Sequence, residues 1–236
     1  MGQSNCPFLG TKTVVFCKAY PKKMIPIDQH ASSTCLCSSE DYQKCDFYKD
    51  LSRGESKLEV IEGFMLRSDY YYHPRHLWVS LSDERLGQVR IGIDDFAQKL
   101  IGPIDLISPI AEDTLVKERN SCFVVHAGNR SVELVAPISG TILEVNKQVI
   151  SDPSMVNHDP YGEGWLLQLN LESDGMKSLF YGSCAKKWLE WEGERLHRMF
   201  SSDLGITCAD GGETVSNISA NMSDAQWARV LSQFLG

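Results

Sequence analysis

The 236-residue sequence predicts an α+β fold, mainly β: a flattened β-barrel or sandwich with C-terminal helices, preceded by an irregular cysteine-rich N-terminal segment. Three observations predict it. Between residues 63 and 173, short apolar or alternating runs are separated by Gly, Pro and Asn turns, the pattern of several short strands. After residue 174 the apolar spacing lengthens to that of helices. Before residue 50 there is little periodicity, yet five of the eight cysteines fall there. The expected organisation is a cysteine-rich, metal-binding segment at 1–50, a linker or short helix at 51–62, a β domain at 63–173 and a helical extension at 174–236.

Each element has a local reason. His76–Leu81 and Gln88–Ile93 alternate apolar and polar residues around a turn at Leu86-Gly87. Asp94-Asp95 opens a helix whose apolar face is Phe96, Ala97, Leu100 and Ile101. The two acids favour its N-terminus, and Gly102-Pro103 ends it. Further strands are expected at Ile104–Ile107, Cys122–Val125, Val132–Val135, Thr141–Val145 and Trp165–Leu171. Trp188, Leu189, Leu196, Met199 and Phe200 line one face of a helix from Ser183 to Phe200, followed by a loop at Thr207–Ala220. Ser223 and Gln226 have capping-box spacing, and Trp227, Val230, Leu231, Phe234 and Leu235 form the core stripe of a terminal helix.

Composition restricts function. Lys plus Arg number 23 against 31 Asp plus Glu, a net charge of −8, which argues against the basic footprint of a nucleic-acid-binding protein. No apolar run is long enough to span a bilayer. The N-terminus lacks a basic, apolar leader, and Cys6 stands where a myristoylation signal has Ser or Thr, so a cytoplasmic location is expected. Residues 1–50 carry six basic and five acidic side chains, whereas the remainder carries 17 and 26; the head differs in kind from the body.

In a reducing compartment, clustered cysteines point to metal or redox chemistry rather than disulfides. The head spacing is C-x10-C-x17-C-x-C-x7-C. Cys6, Cys17, Cys37 and Cys45 form the preferred quartet for Zn or an iron–sulfur cluster, with Cys35 as substitute and His30 as a weaker candidate. The head has few large apolar residues, and a metal would supply the folding free energy they do not. Partly buried thiols without a joint role, or a reversible Cys35–Cys37 disulfide, are the alternatives. Elsewhere, Tyr70–His76 groups aromatics with two histidines and reads as packing at the entry to the first strand. Asp152, His158 and Asp159 read as turn residues, and Trp191 is left for a partner. No Ser-His-Asp set, phosphate-cradling Gly loop or carboxylate pair is present, so no catalytic residues are assigned and the chain is expected not to be an enzyme.

Three stretches carry a family resemblance: His76-Leu77-Trp78-Val79, Gly92 through Ile104 (GIDDFAQKLIGPI), and Val156 through Leu166 (VNHDPYGEGWL). Pro137-Ile138-Ser139-Gly140 and Glu144-Val145-Asn146 add to it. Together they resemble the glycine cleavage system H protein, a lipoyl-carrying domain of the biotinyl/lipoyl hammerhead type. The resemblance implies a lysine at the tip of an exposed hairpin that carries lipoate as a swinging arm for aminomethyl transfer between protein partners. In the family that lysine precedes the Pro of Pro-x-Ser-Gly by eight residues, within Glu-Ser-Val-Lys-Ala. Counting back from Pro137 reaches Asn129, within His126-Ala127-Gly128-Asn129-Arg130. A carboxamide cannot form the lipoyl amide, and the always-protonated Arg130 cannot replace the lysine. Lys117 and Lys147 belong to other parts of the pattern. Gly128-Asn129 instead suits a two-residue hairpin turn. The expectation is a non-lipoylated, non-catalytic adaptor that meets protein partners through the H-protein-like surface and the tip Gly128, Asn129 and Arg130. A lipoyl carrier, or an iron–sulfur electron-transfer or redox-sensing module, is the alternative.

Overall fold

The computed structural model describes residues 14–16, 24–26, 44, 57–83, 87–109, 111–112, 114–172, 175–203 and 217–236. The chain divides into two units, Met1–Lys57 and Leu58–Gly236. In the first, β1 (Val14–Phe16) pairs antiparallel with β2 (Met24–Pro26), Val15 opposite Ile25. Cys6, Cys17, Cys35, Cys37, Cys45 and His30 lie outside the described residues.

The second unit is mostly antiparallel sheet. Its elements begin with β3 (Leu58–Ile61), β4 (Phe64–Arg67), β5 (Tyr71–His73), β6 (Leu77–Asp83) and β7 (Gln88–Ile93). Helix α1 (Asp95–Ile101) is followed by β8 (Leu106–Pro109), β9 (Leu115–Val116), β10 (Ser121–Ala127), β11 (Arg130–Val135) and β12 (Gly140–Val145). Short helices α2 (Lys147–Ser151) and α3 (Met155–His158) lead to β13 (Leu167–Leu171) and β14 (Phe180–Tyr181). Helix α4 (Ser183–Arg198) runs into a π-helical turn at Met199–Asp203; a 3-10 turn at Ile218–Asn221 precedes α5 (Asp224–Phe234).

One sheet has the order β14-β5-β6-β7-β13-β12-β9, a second the order β11-β10-β8, and β3–β4 forms a separate hairpin. Neither sheet closes on itself, so of the two expected architectures the structure has the sandwich. Ile91, Leu167, Leu169 and Ile142 from the larger sheet and Ile107, Phe123, Val125 and Leu134 from the smaller are buried.

The motif residues build this scaffold. Trp78 pairs across the ladder with Gly92, and a Cβ on Gly92 would lie 2.4 Å from the Trp78 ring. The indole N–H of Trp78 donates to the carbonyls of Ile93 and Pro160, pinning the Asp159–Trp165 loop to the sheet. Within that loop, the Asp159 carboxylate accepts from the N–H groups of Gly162 and Glu163 at 3.0 and 2.9 Å, closing the turn on itself. The loop is structural, as its composition indicates.

Two differences from the sequence reading have physical causes. The 51–62 stretch contributes strand β3 at Leu58–Ile61, where a linker or short helix was expected. Its partner β4 is fastened to α1. Met65 N–H donates to Asp95 Oδ2 at 2.7 Å, Lys99 Nζ lies 2.6 Å from the same oxygen, and Lys99 also donates to Gly63 O at 2.7 Å. Asp95 and Lys99 are fully buried, so α1 has no solvated face. The charges that mark an amphipathic helix in sequence are here a buried, hydrogen-bonded pair. Second, β8 starts at Leu106 rather than Ile104, because Ile104 N–H is taken by the Asn157 side chain at 2.9 Å.

Candidate interaction site at the β10–β11 hairpin

Strands β10 and β11 pair with Val125 opposite Val132, His126 opposite Ser131 and Ala127 opposite Arg130. Only Gly128 and Asn129 remain between them, and both are exposed. Gly128 has φ +66, which glycine adopts without cost, and a Cβ there would meet nothing within 4 Å. The two-residue turn expected from the sequence is present. The glycine requirement comes from the backbone alone, since the tip is open.

The turn is held from below. Gly128 N–H donates to Asp105 Oδ2 at 2.7 Å, and Asp105 N–H donates to His126 O at 3.0 Å. Arg130 differs from its expected place at the tip: its side chain is half-buried and turned onto the C-terminal segment. Its Nε donates to Asp224 Oδ1 at 2.8 Å, Nη2 to Met222 O at 2.6 Å and Nη1 to Ser219 O at 3.4 Å. The guanidinium lies over the Trp227 ring at 5.4 Å. Trp227 Nε1 in turn donates to Leu100 O at 3.2 Å, one of the carbonyls left open at the end of α1. The C-terminal segment thus joins the root of the hairpin to the end of α1. The capping box at Ser223/Gln226 that starts α5 is present as expected.

Sequence reasoning placed Gly128 and Asn129 in the turn and missed Asp105, Asp224 and Trp227 as supports of the hairpin. Nothing local marks Asp105, and Asp224 reads as an ordinary first-turn acid. Trp191, expected on the outside of α4, is 67% exposed, whereas Trp188 is buried against Tyr72 and His76. Asp152 and Asp159 serve turns, Asp152 accepting from Ser154 Oγ at 2.6 Å. Among the described residues no group of three or more His, Cys, Asp or Glu is arranged to hold a metal ion. Burial pushes the Cys122 thiol up to about 12, whereas Cys184 is exposed on α4. No described helix is long and apolar enough to cross a membrane.

The second unit is thus an open antiparallel sandwich with a tight exposed hairpin and a fully buried helix α1. The glycine cleavage H-protein family profile matches residues 70–191. The glycine cleavage system H protein of Carboxydothermus hydrogenoformans is 36% identical over 127 residues, 53% of this chain and 95% of that protein. The probable glycine cleavage system H protein of Aeropyrum pernix is 34% identical over 112 residues, 48% of this chain and 76% of that one. A crystal structure of a glycine cleavage system H protein from Mycobacterium marinum aligns with 27% identity and a TM-score of 0.48, over 54% of this chain and 99% of that one. The chain belongs to the glycine cleavage H-protein family, and the family match leaves residues 1–69 and 192–236 outside it.

Proposed function

We propose that this chain is a non-lipoylated, non-catalytic member of the family that works as a protein-interaction adaptor, with the Gly128-Asn129 tip as its partner-facing point. The observation that carries this reading is the chemistry of the hairpin. Residues 121–135 contain no lysine, the exposed tip residue is Asn129, and the neighbouring cation Arg130 is committed to the C-terminal segment. Lys117 precedes β10 and Lys147 opens α2, so neither lies in the hairpin. A rigid, propped turn suits recognition of a protein surface; a carrier needs an amine there to bear an arm. Partners are proteins that meet this surface rather than nucleic acid, in keeping with the net charge of −8.

The head belongs to the same proposal as a metal or redox element, with Cys6, Cys17, Cys37 and Cys45 as thiolate ligands of Zn or an iron–sulfur cluster and Cys35 as the alternate. Native mass spectrometry of anaerobically purified protein, compared with the denatured mass, tests both parts. An increment for Zn or a cluster without a lipoyl group is expected. A lipoyl increment after co-expression with lipoate-attachment enzymes restores the carrier reading, and the bare mass in both states removes the metal. Asn129→Lys provides the positive control: with the tip in the family's register, this single change creates an acceptor for lipoate.

A further inference from the structure

His76 is fully buried and sits at φ +61 between β5 and β6, a conformation costly for a residue with a Cβ. Its ring stacks on Phe96 of α1 at 4.0 Å and 9°, lies 4.7 Å from the Trp188 ring of α4 and 6.3 Å from Phe234 of α5. One imidazole therefore packs against the sheet, helix α1 and both C-terminal helices. Nδ1 lies 2.9 Å from Asp94 Oδ2, whose other oxygen caps α1 through Ala97 N–H at 2.8 Å. On the opposite edge, Nε2 has no hydrogen-bond partner among the described residues, and Glu192 Oε2 of α4 stands 3.8 Å away.

A neutral imidazole has one N–H and one lone pair. With the proton on Nδ1, the Nε2 lone pair faces Glu192; with it on Nε2, the Nδ1 lone pair meets Asp94 at hydrogen-bond distance. Only the imidazolium offers an N–H to both carboxylates. Burial opposes that charge, and Asp94 and then Glu192 outweigh it, so the histidine's proton is held above its ordinary range. Other charges facing the site are already matched. Asp95 pairs with Lys99 within α1, Arg195 lies 3.2 Å from Glu192 on α4, and burial lowers His73 of β5 to about 4, leaving it neutral. Helix α5 contributes the Phe234 ring, with the Arg195 guanidinium over it at 4.6 Å.

We infer that His76 is a proton-dependent latch holding the C-terminal helices α4 and α5 against the β body. On loss of one proton the remaining N–H stays on Nδ1, at hydrogen-bond distance from Asp94, and the Nε2–Glu192 attraction becomes repulsion between a lone pair and a carboxylate. Glu192 is joined to Arg195, and Arg195 Nη2 donates to Gln233 O near the end of α5 at 2.8 Å, so the disturbance passes from one helix to the other. The latch is closed below the unfolded histidine value of 6.5 and opens as pH rises through the raised folded value. It does not depend on what the hairpin tip binds.

The test is hydrogen exchange of the full chain at about pH 6 and about pH 9, corrected for intrinsic rates, with imidazole-nitrogen NMR alongside. His76 is expected as imidazolium at about pH 6. Protection over 183–203 and 217–236 is expected to fall at the higher pH while β6 and β7 keep theirs. The fall is about tenfold for each pH unit by which the folded histidine titrates above the unfolded one. Glu192→Gln keeps the shape of the site without its charge and is expected to flatten the pH dependence, as is His76→Phe, which keeps the stack. A neutral His76 at about pH 6, equal protection at both pH values, or an undiminished pH dependence in Glu192→Gln overturns the latch. If a variant fails to fold, the NMR of the unmodified protein decides.

Discussion

Arg130 and Asp224 are 94 positions apart in sequence, and their side chains meet at 2.8 Å, at the point where the hairpin root touches the start of α5. Asp224 is 70% exposed, so the ion pair itself contributes little. The same guanidinium also holds the carbonyls of Met222 and Ser219, and those charge-assisted bonds account for most of its effect.

Arg130→Ala is therefore expected to weaken docking of residues 217–236 by about 1–2 kcal/mol, read as faster amide exchange there than in the sheets. Arg130→Lys is expected to recover only part of the loss, because an ammonium cannot reproduce the planar fork that reaches Asp224 and Met222 together.

Gly92→Ala tests the packing of Trp78 on the β6–β7 ladder. The new methyl would sit 2.4 Å from a ring clamped by two hydrogen bonds, so Trp78 cannot move aside freely. The expected cost is about 1–3 kcal/mol, with a shift in the near-ultraviolet circular dichroism as the indole is displaced. An unchanged denaturation midpoint would mean that the β6–β7 ladder relaxes around the methyl.

The two described cysteines are expected to differ in reactivity. Peptide mapping after brief iodoacetamide treatment at neutral pH should find Cys184 modified and Cys122 untouched, since Cys122 is buried with its thiol pushed up to about 12. Modification of both would show that β10 opens under native conditions.

His73 gives the acid side of the stability profile. Burial, then Arg75, lowers it from 6.5 to about 4, so the unfolded chain binds the extra proton between those values. Its contribution is complete above 6.5 and is lost as pH falls toward about 4, opposite in sign to that of His76. His73→Asn, whose side-chain oxygen can still accept from Arg75 N–H, is expected to flatten the acid limb of urea midpoints measured against pH.

Much of this molecule was legible in its residues. The Gln88–Ile93 alternation became β7 with the expected bounds, Asp94 and Gly102 flank α1, and the capping box marks α5, because each signal is local and period-bound. The short strands β3, β4, β5, β9 and β14 were not anticipated. They are two to four residues long, too few to show a period, and exist because a neighbouring strand supplies their hydrogen bonds. Lys99 and Asp95 show the same limit: as side chains they read as surface, and only a full set of partners made them core.

By itself the sequence determined the longer strands, helices α1, α4 and α5, the two-residue turn at Gly128-Asn129 and the absence of lysine from its hairpin. Each follows from residue type, spacing or backbone preference within a few positions. Tertiary structure alone decided that Arg130 turns inward to Asp224 and that His76 lies between Asp94 and Glu192. Those relationships join residues 18 to 116 positions apart, and their strength comes from burial and charge geometry that no local window of sequence contains.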